Sequence, residues 1–261
     1  MSNLVPDFEV KLLLNPSKVL DSNNKLAGVV QSEFSIQQDV KTMSVQFVDN
    51  KTKDIYNSGW NLRIRRTEGA KKIELTYKKR YPIDIPEIST TEETEGGIGK
   101  AVAAAANDGF NSTTDFEAQV EVGHKKQTLS ISHSEKASAK GLSGVDLPGA
   151  EASGAFLIAD APPEFKNWPV EKTWPVVYGP VVATRLEGVW NGEKLYIEIW
   201  PIRASKTDAT LVPIVEASFK TSDVNKALGG RQELADLLQS KGWFIPGDSL
   251  KTQLVMDRYG Q

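Results

Sequence analysis

Six short stretches of this chain alternate charged with apolar residues at a period of two, the pattern of strands whose two faces differ chemically. In Asp7-Phe8-Glu9-Val10-Lys11 the charges Asp7, Glu9 and Lys11 share one face, and Phe8, Val10 and Leu12 share the other. The same alternation runs through Arg63-Ile64-Arg65, Glu74 to Arg80, Glu117 to Glu121, Arg185-Leu186-Glu187 and Glu216 to Lys220. The apolar residues supply a packed side for a sheet. The charged side has two readings: ordinary solvated surface, or the lining of one cavity for a highly charged ligand. Arg63 and Arg65, beside a strand carrying Lys78 and Arg80, form a cationic row in which like charges repel unless an anion or carboxylates lie between them. A closed antiparallel sheet of about eight strands encloses room for side chains or one small ligand. Arginine suits bidentate phosphate contact and lysine a point contact, while carboxylates suit a hard divalent ion.

Strand signals dominate the rest of the chain. Residues 45–48, 61–64, 73–77, 116–122, 128–132, 181–189, 194–200 and 211–219 are rich in β-branched and aromatic residues and alternate in polarity. Asn191-Gly192 between two such runs predicts a tight hairpin, making the strands around Arg185 and Glu198 antiparallel neighbours. Two helices are expected, one over Ile98 to Asn107 and one over Asp223 to Lys241, capped by Ser222 or Asp223 and stopped at Gly242. The Ser-, Gly-, Ala- and Lys-rich segment from Ser134 to Ala155 reads as a mobile loop within a single domain spanning 1–261.

Composition narrows the function classes. The 31 basic and 34 acidic residues leave a net charge of only −3, so no global field favours a nucleic-acid polymer. Lys71-Lys72 and Lys125-Lys126 read as solvated faces. The absence of cysteine excludes disulfides, thiolate nucleophiles and Cys-ligated zinc. His124 and His133 read as surface strand residues without a nucleophile motif around them. No apolar run approaches the length of a membrane span and no signal peptide is recognisable, so a soluble, cytoplasmic protein is expected, and the acceptor patterns at Asn50 and Asn111 read as chance matches.

The charged series resembles the CYTH, or triphosphate tunnel metalloenzyme, superfamily. Its Glu-x-Glu-x-Lys motif is matched by Asp7-x-Glu9-x-Lys11, followed in order by Leu62-Arg63-Ile64-Arg65, Glu74 to Lys78, the acidic strand Glu117 to Glu121, Arg185, Glu198, and Glu216 with Lys220. The likeness extends from about residue 6 to residue 245. It implies an α+β fold, a mostly antiparallel eight-stranded β-tunnel with helices packed outside. Members of the superfamily include inorganic, thiamine and RNA triphosphatases and class IV adenylyl cyclases, which act on triphosphates with Mg²⁺ or Mn²⁺. Carried over by position, Lys11, Arg63, Arg65, Lys78 and Arg185 are implied phosphate ligands, and Glu9, Glu121, Glu198 and Glu216, with Asp7, implied metal ligands. Glu9, Lys11 and Lys78 are the candidate catalytic residues. Glu74, Arg80, Glu117, Arg203 and Lys220 are further candidates, with Arg80, Arg203 and Lys220 on the substrate side. Two departures stand out: Asp7 replaces a glutamate, and Gln119 stands where a carboxylate is possible.

Three functions follow as expectations. The first is metal-dependent hydrolysis of inorganic triphosphate or a small organic triphosphate. The second is non-catalytic binding of a polyphosphate or nucleotide. The third is a lyase or cyclase acting on an organic di- or triphosphate, with Tyr196, Trp200 and the Trp168 to Trp174 region to hold the organic part.

Overall fold

The computed structural model describes residues 4–37, 39–84, 91–169, 174–248 and 251–260. The chain begins with β1 (Asp7–Leu14), the short helices α1 (Pro16–Val19) and α2 (Gly28–Glu33), and β2 (Lys41–Asp49). A turn of helix, α3 (Asp54–Asn57), precedes the hairpin of β3 (Trp60–Thr67) and β4 (Lys72–Ile83), and α4 (Thr91–Asn107) follows. Next come β5 (Glu117–Val122), β6 (Gln127–Ser138), α5 (Ala150–Ala159) and β7 (Val176–Trp190). The chain ends with β8 (Glu193–Arg203), β9 (Leu211–Thr221), α6 (Val224–Ser240), β10 (Phe244–Ile245) and α7 (Lys251–Arg258).

Nine strands close into a barrel in the order β1-β5-β6-β4-β3-β2-β7-β8-β9, with β9 pairing back onto β1, while β10 adds two residues to the edge of β1 beyond β5. Every pairing is antiparallel except β1 with β5. The count is nine rather than the eight that the resemblance implies. Each of the eight alternating runs, and the Asp7 to Lys11 stretch besides, forms a strand of its own, so the barrel gains one stave. The predicted hairpin at Asn191-Gly192 forms with both residues at positive φ, joining β7 to β8 in the register Val189 opposite Lys194.

The barrel is inverted relative to a simple sheet protein: its outer surface is apolar and covered. On β1 the outward residues Phe8, Val10, Leu12 and Leu14 are buried, and α6, α4 and α5 contribute Leu234, Leu238, Ala101, Ala105 and Leu157 to the same core. Burial of these side chains supplies the main driving force for closing the sheet. Asp223 caps α6 by accepting from the Lys226 N–H at 3.0 Å. The expected loop over Ser134 to Ala155 is shorter than its composition suggests. β6 continues through Ser138 because twelve-residue β4 offers it partners as far as Lys72, and α5 begins at Ala150. Trp168 and Trp174 pack edge-on against each other in this outer core, with Trp168 against Phe165, and neither lines the barrel interior.

Candidate active site: a charged tunnel

Alternation along the strands decides what faces inward. The interior forms one cavity of about 860 Å³ to which all nine barrel strands and the start of α7 contribute. Among the described residues eight cations line it, Lys11, Arg63, Arg65, Lys78, Arg80, Arg185, Lys220 and Lys251. Seven carboxylates face them: Asp7, Glu9, Glu74, Glu117, Glu121, Glu198 and Glu216. Asp7, Glu117 and Lys220 are exposed, so among the described residues the less exposed part of the tunnel holds seven cations against five carboxylates.

The structure therefore brings together every residue expected at the site except Arg203. That residue is five positions from Glu198, and an odd separation along a strand puts it on the opposite face. Its guanidinium stacks on the Tyr259 ring, 4.8 Å from the centroid, beside a second, smaller cavity. Lys251, at the first turn of α7, is the tunnel cation that the strand pattern does not reveal.

Strand register pairs the charges. Arg65 lies opposite Glu74, and its Nη2 donates to both carboxylate oxygens at 2.7 and 2.9 Å, while Arg63 reaches the same carboxylate at 3.1 Å. Burial, and then Arg65, push Arg63 down to about 10, which leaves it charged at neutral pH. On the neighbouring strand Lys78 donates to Glu121 at 3.1 Å. Burial, only partly offset by Glu121 and reinforced by Arg80 and Lys11, lowers Lys78 to about 8. Glu121 also accepts from Ser130 at 2.9 Å; burial pushes its pKa up, but Lys11, Lys78 and Arg80 outweigh it and hold the carboxyl well below its ordinary value. Among the described residues the buried Nε atoms of Arg63 and Arg80 find no acceptor, and unmet N–H groups of this kind carry a free-energy cost that an anionic ligand would relieve.

Two pairs of glutamates stand directly opposite each other on adjacent strands, Glu9 with Glu121 and Glu198 with Glu216. Facing like charges destabilise a sheet, and an ammonium lies at each pair. Lys11 is 3.0 Å from Glu9 and 3.4 Å from Glu121. Lys251 is 2.5 Å from Glu198 and 2.8 Å from Glu216. Arg185 adds a 2.6 Å contact to Glu198, and the Trp200 indole N–H donates to the same carboxylate at 2.8 Å. Gln119, with its amide oriented to serve both neighbours, donates to Glu9 at 2.8 Å and accepts from Lys220 at 3.0 Å.

This arrangement does not fit the divalent ion that the resemblance implies. Among the described residues no three tunnel carboxylates bring oxygens within 4.8 Å of one another, and each facing pair holds an ammonium. The group that does converge, Asp115, His133 and Glu135, lies on the opposite face of β6 from tunnel-lining Ser132 and Ser134. The aromatic residues in the tunnel are engaged as supports: Tyr196 lies under the Arg185 guanidinium at 5.0 Å, and Lys251 sits 4.9 Å from the Trp200 ring.

The lowered Lys78 gives a pH prediction. An ammonium attracts an anion and a free amine does not, so the affinity of any small phosphate anion for this tunnel should fall as pH rises through about 8. Above that pH, binding should take up a proton. Calorimetry in two buffers of different ionisation enthalpy reads both effects; affinity that is flat from pH 7 to 9.5 would contradict the assignment.

No protein-family model matches the chain, and no curated protein matches it in sequence. Among solved structures, HpAC1 from Hippeastrum, a candidate adenylyl cyclase described as having a dominant triphosphatase activity, aligns at 15% identity with a TM-score of 0.54, over 95% of this chain and 94% of that one. A candidate adenylate cyclase from Bacillus halodurans aligns at 14% identity with a TM-score of 0.49, over 97% of this chain and 98% of its own. One from Vibrio parahaemolyticus aligns at 11% identity with a TM-score of 0.47, over 96% and 99%. At such identity the likeness to HpAC1 is one of fold, and it runs through nearly the whole of both chains.

Proposed function

We propose that the tunnel binds the phosphate chain of a small triphosphate, inorganic or organic, and hydrolyses a phosphoanhydride bond within it. One observation carries the proposal. Arg63, Arg65, Lys78 and Arg80 face a single cavity from adjacent strands, and two of the guanidinium Nε groups have no acceptor. A row of phosphate oxygens would satisfy those donors and neutralise the surplus cations. The resemblance to the triphosphate tunnel superfamily and the fold shared with HpAC1 support the same reading.

In this proposal Lys78, Arg80, Arg63 and Arg65 hold the phosphate chain and stabilise the charge that develops on the transferring phosphoryl group. Lys11, which shares Glu121 with Lys78, and Arg185, which also lines the tunnel, add further cations to the chain. Water attacks the terminal phosphorus as the bridging phosphoanhydride P–O bond breaks, releasing orthophosphate and the shortened phosphate chain with no covalent enzyme intermediate. Binding without turnover is the second reading, favoured by the Gln119 amide bridge and by carboxylates that are already neutralised. The lyase reading is weaker, because Trp168 and Trp174 lie outside the tunnel and Tyr196 and Trp200 are occupied as supports.

Incubation with tripolyphosphate, ATP and thiamine triphosphate, with and without Mn²⁺, tests this directly. Orthophosphate release above the uncatalysed rate is expected from at least one of them. Pyrophosphate as the main product would favour a lyase. A folded protein that only gains thermal stability from the anion would favour the binding module.

A further inference from the structure

We infer that the Lys251 ammonium is the resident cation of the Glu198–Glu216 wall, delivered by α7, and that this wall takes no divalent ion while α7 is docked. Three observations carry it. First, the register forces Glu198 and Glu216 to face each other, both buried, so this wall needs a cation whatever else the tunnel does. Second, Lys251 bonds one oxygen of each, and the remaining oxygen of Glu198 is taken by Arg185.

Third, the barrel is built to seat the helix that carries Lys251. β2 is the strand that offers only apolar residues to the tunnel, Met43, Val45 and Phe47. These form a core with Val255 and Met256 of α7, Ala183 and Val181 of β7, and Trp200 and Ile202 of β8. The far end of the helix is tied by Lys53 to Asp257 at 3.0 Å and by Arg258 to the Arg203 carbonyl at 2.9 Å. One strand's charges are replaced by an apolar seat, and the seated helix brings a cation in return. Lys11 holds the Glu9–Glu121 pair in the same way, so the tunnel takes its polyphosphate as the free anion, a corollary that rests on the proposed function.

The test is a Mn²⁺ titration of the full chain after chelator treatment, followed by the loss of the free-ion paramagnetic resonance signal. Wild type should show no Glu216-dependent site. Lys251→Met, which keeps an unbranched side chain on the helix but removes the charge, should gain a site at least about tenfold tighter than any in wild type. Mn²⁺ should raise the Tm of that variant and leave wild type unmoved, and Lys251→Met/Glu216→Gln should lose the gained site. Wild-type Mn²⁺ binding that Glu216→Gln abolishes would overturn the inference, and that comparison decides even if Lys251→Met fails to fold. For the corollary, tripolyphosphate should raise the wild-type Tm equally in EDTA and in Mn²⁺; a shift seen only with metal would contradict it. No shift under either condition would sink the proposed polyphosphate function while leaving the Mn²⁺ comparison to judge Lys251 by itself.

Discussion

Lys78→Ala is expected to lower triphosphate turnover by about 10²- to 10³-fold, the scale seen when one donor is removed from a preorganised oxyanion hole, while leaving the fold intact. The separation of the two effects is the informative part. Lys78 sits deep in the tunnel between other cations, and its ammonium is held against burial, so its pKa falls to about 8. The unfolded chain holds that proton more firmly than the folded one does, so between about pH 8 and the ordinary lysine value of 10.5 this group destabilises the fold less as pH rises. Removing the charge should leave the Tm unchanged or raise it. Glu121, its partner, keeps Ser130 and Lys11. A residue that weakens the folded protein yet faces the cavity is expected where function is favoured over stability. Parallel measurement of kcat/KM and Tm checks this; a Tm loss of many degrees with unchanged turnover would assign Lys78 a purely structural role.

Glu198→Ala should produce the opposite result, with stability falling by about 3–5 kcal/mol, the cost of leaving buried charges unpaired. Its two oxygens accept from Arg185, Lys251 and the Trp200 indole, so the substitution takes this acceptor from Arg185 and the indole and leaves Lys251 with Glu216 alone. On a chain of this size that corresponds to a Tm drop on the order of 10 °C. Glu198→Gln keeps the shape and one acceptor and should lose less. Burial pushes the Glu198 pKa up, but Lys251 and Arg185 outweigh it and hold it far below the ordinary carboxylate value of 4.5. The stabilisation is thus complete above that value and lost as pH falls toward the folded-state pKa, so the gap between wild type and Glu198→Ala should be full at pH 7 and shrink in acid. Thermal unfolding at pH 7 and pH 3 reads it, and equal gaps at both would contradict the ion-pair account.

Much of the tunnel was legible because a period of two is rigid: once Glu9 faces inward, Asp7 and Lys11 must follow, and the same logic places Arg63 with Arg65 and Glu216 with Lys220. Parity also excludes Arg203, five residues from Glu198, and counting along the strand would have shown it. The apolar alternation of β2 misleads for a physical reason. Met43, Val45 and Phe47 look like the packed outer side and Ser44 and Gln46 like the wet one, yet Gln46 is buried on the outer side, donating to Ser153 of α5, because α7 occupies the inside. Lys251 was not legible at all, since a lone lysine at the start of a short helix has no periodic partner in sequence and acquires its role only when α7 docks. The ninth strand was present as an alternating segment, but closure through the β1–β9 pairing is a long-range property.

Calorimetric titration of tripolyphosphate into chelator-treated protein tests the central claim most directly, since that claim is a cationic wall organised for a phosphate chain. One molecule bound per chain is predicted, with affinity that falls steeply with salt and is lost in Lys78→Ala and Arg63→Ala. No binding at low ionic strength, or binding that both substitutions leave unchanged, would contradict it.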